Sequence, residues 1–228
     1  MKNFSLFGSR GRGLAGLDIS SSSVKLLELA GGAKDGYRVQ RYAIEPLPRD
    51  VVVDGNITNL EAAGDAVKRA LRRMGGGVRQ VAVALPSSSV IMKRLVLPAG
   101  LREQEMEIQV ESEATQYIPF PLDEVNLDFQ IIGPSPASPD DVEVLIAASR
   151  KEKVEDRVAV AEAAGLKVAI VDVEMLAAEA ALSLVNRDFE GGERDKIIAL
   201  VDIGATRTDV SIMRNGRQIY QREQPLGA

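Results

Sequence analysis

The sequence predicts an α/β fold in which one strand–turn–strand unit occurs twice, with a small strand–helix–strand–strand module between the two copies. Three observations carry this. Apolar residues switch repeatedly between alternating and helical spacing, the segment 17–25 realigns with 201–209, and residues 88–150 follow a pattern of their own.

Taken in order, residues 14–19 and 24–29 read as two strands around a serine-rich turn, and 37–44 as a third, an antiparallel meander. Leu60, Ala63, Val67, Ala70, Leu71 and Met74 then recur at helical spacing, and Gly75, Gly76 and Gly77 stop that helix. A short apolar strand follows at 81–85. The module begins with a strand at 90–97 and a helix at 102–117, with Met106, Val110, Ala114 and Tyr117 on one face. Pro119 and Pro121 end the helix, because each removes an amide donor. Val125, Leu127, Phe129 and Ile131 alternate with Asn126, Asp128 and Gln130, which predicts one buried strand face, and 142–148 repeats the pattern. Beyond the module come a helix at 152–164, a strand at 167–171 and a helix at 173–184 whose apolar face is Val173, Leu176, Ala177, Ala180 and Leu184. This alternation favours a parallel crossover. The polar run 186–194 with Gly191-Gly192 reads as an exposed hinge, and strands resume at Lys196.

Composition removes whole classes of chemistry. The 228 residues contain no cysteine, histidine or tryptophan. Disulfides, Cys/His zinc sites, Ser-His-Asp or Cys-His nucleophiles and a histidine proton shuttle are therefore excluded. Carboxylates, lysines, hydroxyls and backbone amides remain as tools. With 45% hydrophobic and 27% charged residues the chain can build a packed core. A net charge of -5 and 4% aromatic content argue against nucleic acid as a partner. No apolar run approaches the roughly 18–20 residues that span a bilayer. Residues 1–10 lack the apolar stretch of a secretory signal, so a cytoplasmic location is expected.

The duplication is the most informative pattern. Leu17-Asp18-Ile19-Ser20-Ser21-Ser22-Ser23-Val24-Lys25 aligns with Val201-Asp202-Ile203-Gly204-Ala205-Thr206-Arg207-Thr208-Asp209, an offset of 184 from Asp18 to Asp202. Each copy is an apolar strand ending in Asp, a turn of small residues and a second strand, and each later reaches a Pro-Leu pair, Pro46-Leu47 and Pro225-Leu226. Small residues in a turn expose successive N–H groups that can cradle an anion, and hydroxyls add donors. A carboxylate at the strand end suits water-mediated Mg²⁺, which keeps its waters and is often held by one or two carboxylates plus substrate phosphates. Two such turns facing each other would clamp a triphosphate. Asp followed by Ser or Gly between strands is also an ordinary hairpin signal. Nothing resembles a P-loop, and no G-x-G-x-x-G follows a strand.

This arrangement resembles the actin/Hsp70/sugar-kinase superfamily, in which duplicated ribonuclease H-like domains hold ATP·Mg between two phosphate hairpins. By that resemblance Asp18, Ser20, Ser21, Ser22 and Lys25 form the first hairpin, and Asp202, Gly204, Ala205 and Thr206 the second. Asp18 and Asp202 would bind Mg²⁺ through water. Val173-Glu174-Met175-Leu176-Ala177-Ala178 is similar to the helix start written E-P-x-A-A in the superfamily, so Glu174 inherits the catalytic role of positioning the attacking water. Ser20 stands where glycine is common and Met175 where proline is usual, changes that nucleotide contact tolerates more easily than hydrolysis does. As a bare helix residue, Glu174 is also a first-turn acid complementing the helix dipole.

The inserted module resembles subdomain 1C, the SHS2 subdomain of FtsA and of the PilM family of type IV pilus assembly proteins. The segment 111–125 around Ile118-Pro119-Phe120-Pro121, the stretch 16–29, and Ala84-Leu85-Pro86 are PilM-like. The resemblance implies an N-terminal lead-in at 1–13, subdomain 1A at 14–87 and 151–186, subdomain 1C at 88–150, a hinge at 187–195 and the start of subdomain 2A at 196–228. It further implies a cytoplasmic, actin-like nucleotide-binding scaffold at the inner membrane, which takes the N-terminal peptide of PilN in a 1A/1C cleft. Membrane association is indirect through PilN, pilus motor ATPases are further partners, and twitching motility is the process served. A weak ATPase in the full-length protein is the expectation, with these 228 residues inactive and binding ATP weakly or not at all, since they end before the family's adenosine motif. An FtsA-like filament protein would add a C-terminal amphipathic helix, and a small-molecule kinase a catalytic carboxylate in the first domain.

Overall fold

A computed structural model describes residues 14–32, 36–185, 197–215 and 217–228. The expected lead-in and the 187–195 hinge lie outside the described residues. The chain forms two compact units, one of residues 1–84 with 158–171, the other of 85–157 with 172–228.

In the first unit, β1 (Leu14–Ile19), β2 (Ser23–Gly32) and β3 (Gly36–Pro46) form the expected antiparallel meander. After helix α1 (Leu60–Arg73), strand β6 (Gln80–Leu85) returns parallel to β1. β10 (Lys167–Val173) completes the sheet, in the order β10-β6-β1-β2-β3. Alternation along β1, β2 and β6 buries Leu17, Val24, Leu26, Val81 and Val83 against Ala63, Val67 and Ala70 of α1, with Val160 and Ala161 closing the same core. Asn59 caps α1 by accepting from the Ala62 N–H at 3.0 Å. At its other end Gly75, Gly76 and Gly77 all take positive φ (83°, 71° and 89°), where a side chain would be strained. A further small hairpin, unannounced by apolar periodicity, pairs β4 (Val52–Val53) with β5 (Asn56–Ile57). Its tip, Asp54-Gly55, has φ of 48° and 76°, as a type I′ turn demands.

Two glutamates interrupt this apolar interior. Glu28 takes two bonds from Arg41, at 2.7 and 2.5 Å, while the same guanidinium donates to the carbonyls of Met74 and Gly76 at 3.1 and 2.7 Å. Glu45 lies between Arg69 and Arg73 of α1, at 3.4 and 2.6 Å. Both pairs tie helix α1 or its glycine stop to the meander.

In the second unit, β7 (Ile91–Pro98), β8 (Val125–Pro134) and β9 (Asp141–Arg150) form an antiparallel sheet in the order β7-β9-β8. Helix α2 (Glu103–Ala114) shares its core: Met106, Val110 and Ala114 with Leu95, Leu97, Val144, Ile146 and Ala148. Two sequence expectations need correction. Tyr117 does not continue the buried helix face; it lies beyond α2, 41% exposed, with the Lys93 ammonium 5.5 Å from its ring. Ile131 is 50% exposed because it sits on the edge strand at a register slip between Ile131 and Gly133.

Helix α3 (Lys151–Ala163) leads back to β10, and α4 (Glu174–Val185) follows. β11 (Ile197–Ile203), β12 (Thr208–Arg214) and β13 (Arg217–Gln224) then make a second meander. The predicted apolar face of α4 is only partly buried: Val173 is covered and Leu176 and Ala177 are half-buried, whereas Ala180 and Leu184 are exposed. The helix meets this meander through polar contacts instead, Glu179 accepting from Ser211 at 3.1 Å and Gln218 donating to the Met175 sulfur. Among the described residues no helix is long and apolar enough to cross a membrane.

Candidate functional site

The duplication read from the sequence is reproduced in backbone register. In the first copy Asp18 pairs with Lys25 and Ile19 with Val24; in the second Asp202 pairs with Asp209 and Ile203 with Thr208. Each turn closes alike, Ser20 N–H donating to Ser23 O at 3.0 Å and Gly204 N–H donating to Arg207 O at 2.8 Å. Even the irregularity recurs, with a register shift between Glu28 and Leu29 in one meander and between Ile212 and Met213 in the other. A bulge marks one extra residue in a strand. Its recurrence at an equivalent position extends the likeness of the copies beyond the turns.

The two turns differ in how they balance charge. In the first, the Lys25 ammonium sits 2.7 Å from Asp18 Oδ2, both side chains nearly half exposed, so the pair holds geometry more than it adds stability. Ser20 spends its N–H and its hydroxyl on the Ser23 carbonyl, each at 3.0 Å, and Ser22 O accepts the Leu47 N–H at 2.8 Å, leaving the turn tip to Ser21 and Ser22. In the second, the residue facing Asp202 is another acid, Asp209, and the compensating cation comes from the turn itself. Arg207 reaches the Glu174 carboxylate at the start of α4 and also donates from Nε to Asp209 Oδ2 at 3.2 Å. Gly204, Ala205 and Thr206 stay small. A Cβ on Gly204 would come within 3.1 Å of the Arg207 carbonyl, and one on Gly227 within 2.3 Å of the Ala205 backbone, so the segment ending at Ala228 can lie over the turn only with glycine there.

A family model described as type IV pilus assembly protein PilM matches residues 16–228. The chain belongs to the PilM family. Its structure is similar to a solved PilM–PilN type IV pilus biogenesis complex, with 29% identity and a TM-score of 0.81, covering 96% of this chain and 63% of that one. The chain thus spans less than two thirds of the solved PilM-complex chain. The cytoplasmic domain of EpsL, an inner-membrane component of the Vibrio cholerae type II secretion system, shares the fold at 12% identity and a TM-score of 0.54, covering 93% of this chain and 71% of that one. The architecture is the actin-like ATPase fold.

Within this PilM-family chain, Arg207 and Asp209 are charged members of the second hairpin that the sequence reading passed over. A signal was available: Arg207 is the one large residue in a turn otherwise made of Gly204, Ala205 and Thr206, and Asp209 reverses the charge of Lys25 at the equivalent position. The guanidinium is shielded from water, which works against its charge, but Glu174, Asp209 and Glu223 outweigh that and hold it protonated. Asp209 is displaced upward from the usual carboxylate range. Burial is the main cause, Arg207 opposes it, and Asp202 adds to it. Its Oδ1 is buried and, among the described residues, accepts no hydrogen bond.

A pH dependence follows from this. The native Asp209 carboxyl binds its proton more tightly than the unfolded one, so stability is lost as pH rises through the unfolded and then the folded value. Asn at this position cannot ionise. The melting temperature of D209N minus that of the wild type is therefore expected to grow from pH 4 to pH 7, and a gap that shrinks over that range contradicts the assignment.

Proposed function

We propose that the protein is a cytoplasmic nucleotide-binding scaffold of the type IV pilus assembly machine that docks the cytoplasmic N-terminal peptide of PilN. The observation that carries the reading is the likeness, across 96% of this chain, to a PilM solved together with PilN. In this reading residues 14–87 with 151–186 form subdomain 1A, 88–150 subdomain 1C and 196–228 the start of subdomain 2A. The scaffold lies at the inner membrane through PilN, contacts pilus motor ATPases and serves twitching motility.

The nucleotide part of the reading rests on the hairpins. Asp18 and Asp202 are partly exposed carboxylates near strand ends beside turns of small residues, the donor chemistry that suits Mg²⁺ held through water and phosphate oxygens. In this reading Asp18 in its own hairpin and Asp202 in its own each offer a carboxylate to Mg²⁺ through water, and the ion would neutralise phosphate charge. In this reading Ser20, Ser21, Ser22 and Lys25 of the first hairpin would contact phosphate oxygens, as would Gly204, Ala205 and Thr206 of the second, with Ser20 and Gly204 also closing their turns. Glu174 orients water for any hydrolysis.

The test is capture on an immobilised N-terminal PilN peptide, run with residues 1–228 and with the full gene product. Retention of both is expected; failure of both removes the scaffold reading. Calorimetric titration of residues 1–228 with Mg·ATP is expected to show weak binding or none, and tight Mg-dependent binding would contradict that expectation.

A further inference from the structure

The second hairpin poses a problem of charge. Asp202, Asp209 and Glu223 meet across neighbouring strands, Asp202 paired with Asp209 and Asp209 with Glu223, and Glu174 joins them from the start of α4 through Arg207. Four carboxylates around a turn repel an anionic ligand. Arg207 bridges two of them with its side chain, and its backbone carbonyl closes the turn by accepting the Gly204 N–H at 2.8 Å. One residue therefore sets both the shape of the small-residue turn and the direction of the Glu174 carboxylate. In the first hairpin these tasks are separate: Ser23 closes the turn, and Lys25 balances Asp18 from the next strand.

We propose that Arg207 is the positioning residue of the second hairpin, fixing Glu174 beside the Gly204–Thr206 turn and supplying the positive charge that lets this acidic cluster accept a nucleotide's phosphates. The inference rests on the nucleotide reading above. Arginine suits the task because its planar fork can hold two carboxylates in a fixed geometry and stays charged at every working pH.

The experiment titrates variants of the full gene product with fluorescently labelled Mg·ATP, alongside thermal melts of each ligand-free protein. R207A is expected to bind at least about tenfold more weakly than wild type, the order of a lost charge-assisted contact, and R207K to recover much of that loss. R207Q, uncharged and of similar reach, replaces R207A in the comparison if the alanine variant does not fold. E174Q keeps an acceptor for Arg207 while deleting one negative charge, so it is expected to bind more tightly than wild type even though it weakens the same ion pair. That opposition of sign separates positioning and charge balance from simple structural support, which would lower affinity in R207A and E174Q together. Parallel losses in the two variants, or equal affinity of R207A and wild type, overturn the proposal and leave nucleotide binding standing. No binding by the wild type overturns the nucleotide reading, and this proposal with it.

Discussion

Replacing Ile146 with alanine is expected to unfold much of the inserted module's population, at a cost of about 3–4 kcal/mol, against roughly 1 kcal/mol for I146V. Ile146 is fully buried on β9, the central strand of the module sheet, paired with Lys93 on one side and Phe129 on the other. Its side chain belongs to the cluster of Leu95, Val110, Ala114, Ile118 and Val144, drawn from α2, the segment just after it and the sheet. Interiors are close-packed, so removing three carbons leaves a cavity that its neighbours fill only in part. Urea denaturation of each variant measures the loss, and hydrogen exchange on β7–β9 locates it. A loss below about 1 kcal/mol for the alanine variant would mean that α2 is not seated on this sheet.

The second large effect is expected at Arg41. R41M keeps much of the side-chain volume but abandons the Glu28 carboxylate, of which only 10% is exposed, and the carbonyls of Met74 and Gly76. Removing one partner of a buried pair costs about 3–5 kcal/mol. Arg41 is itself a third exposed, so solvent can reach the orphaned carboxylate and about 2–3 kcal/mol is expected here. The double variant E28Q/R41M should recover part of the loss, because a neutral amide is cheaper to leave in that position than an unpaired charge. If the double variant is no more stable than R41M in the same denaturation experiment, Glu28 is not the source of the cost.

Much of the fold was legible because burial is periodic. Strands β1, β2, β6 and β9 and helices α1 and α2 each present one apolar face, and their spacing alone names Leu17, Val67, Val110 and Ile146 as interior residues. The places where reading failed have specific causes. Ile131 keeps the alternation but lies at a bulge on an edge strand, so periodicity overstates its burial. The α4 face fails because Glu174, Met175 and Glu179 meet polar partners on β12, β13 and the preceding turn, contacts that follow no apolar pattern. The β4–β5 hairpin was announced by Asp54-Gly55 alone, since strands of two residues are too short to show a period.

By itself the sequence determined the order of the longer elements, the duplicated acidic turn and the restriction of the chemistry to carboxylates, lysines, hydroxyls and amides, because these depend on local spacing and composition. Only the tertiary structure decided how the charges are balanced: Lys25 answers Asp18 across a strand pair, whereas Arg207 answers Glu174 and Asp209 from within the turn. The physical reason is that an ion pair is set by distance in space, and Glu174 and Arg207 lie 33 residues apart along the chain.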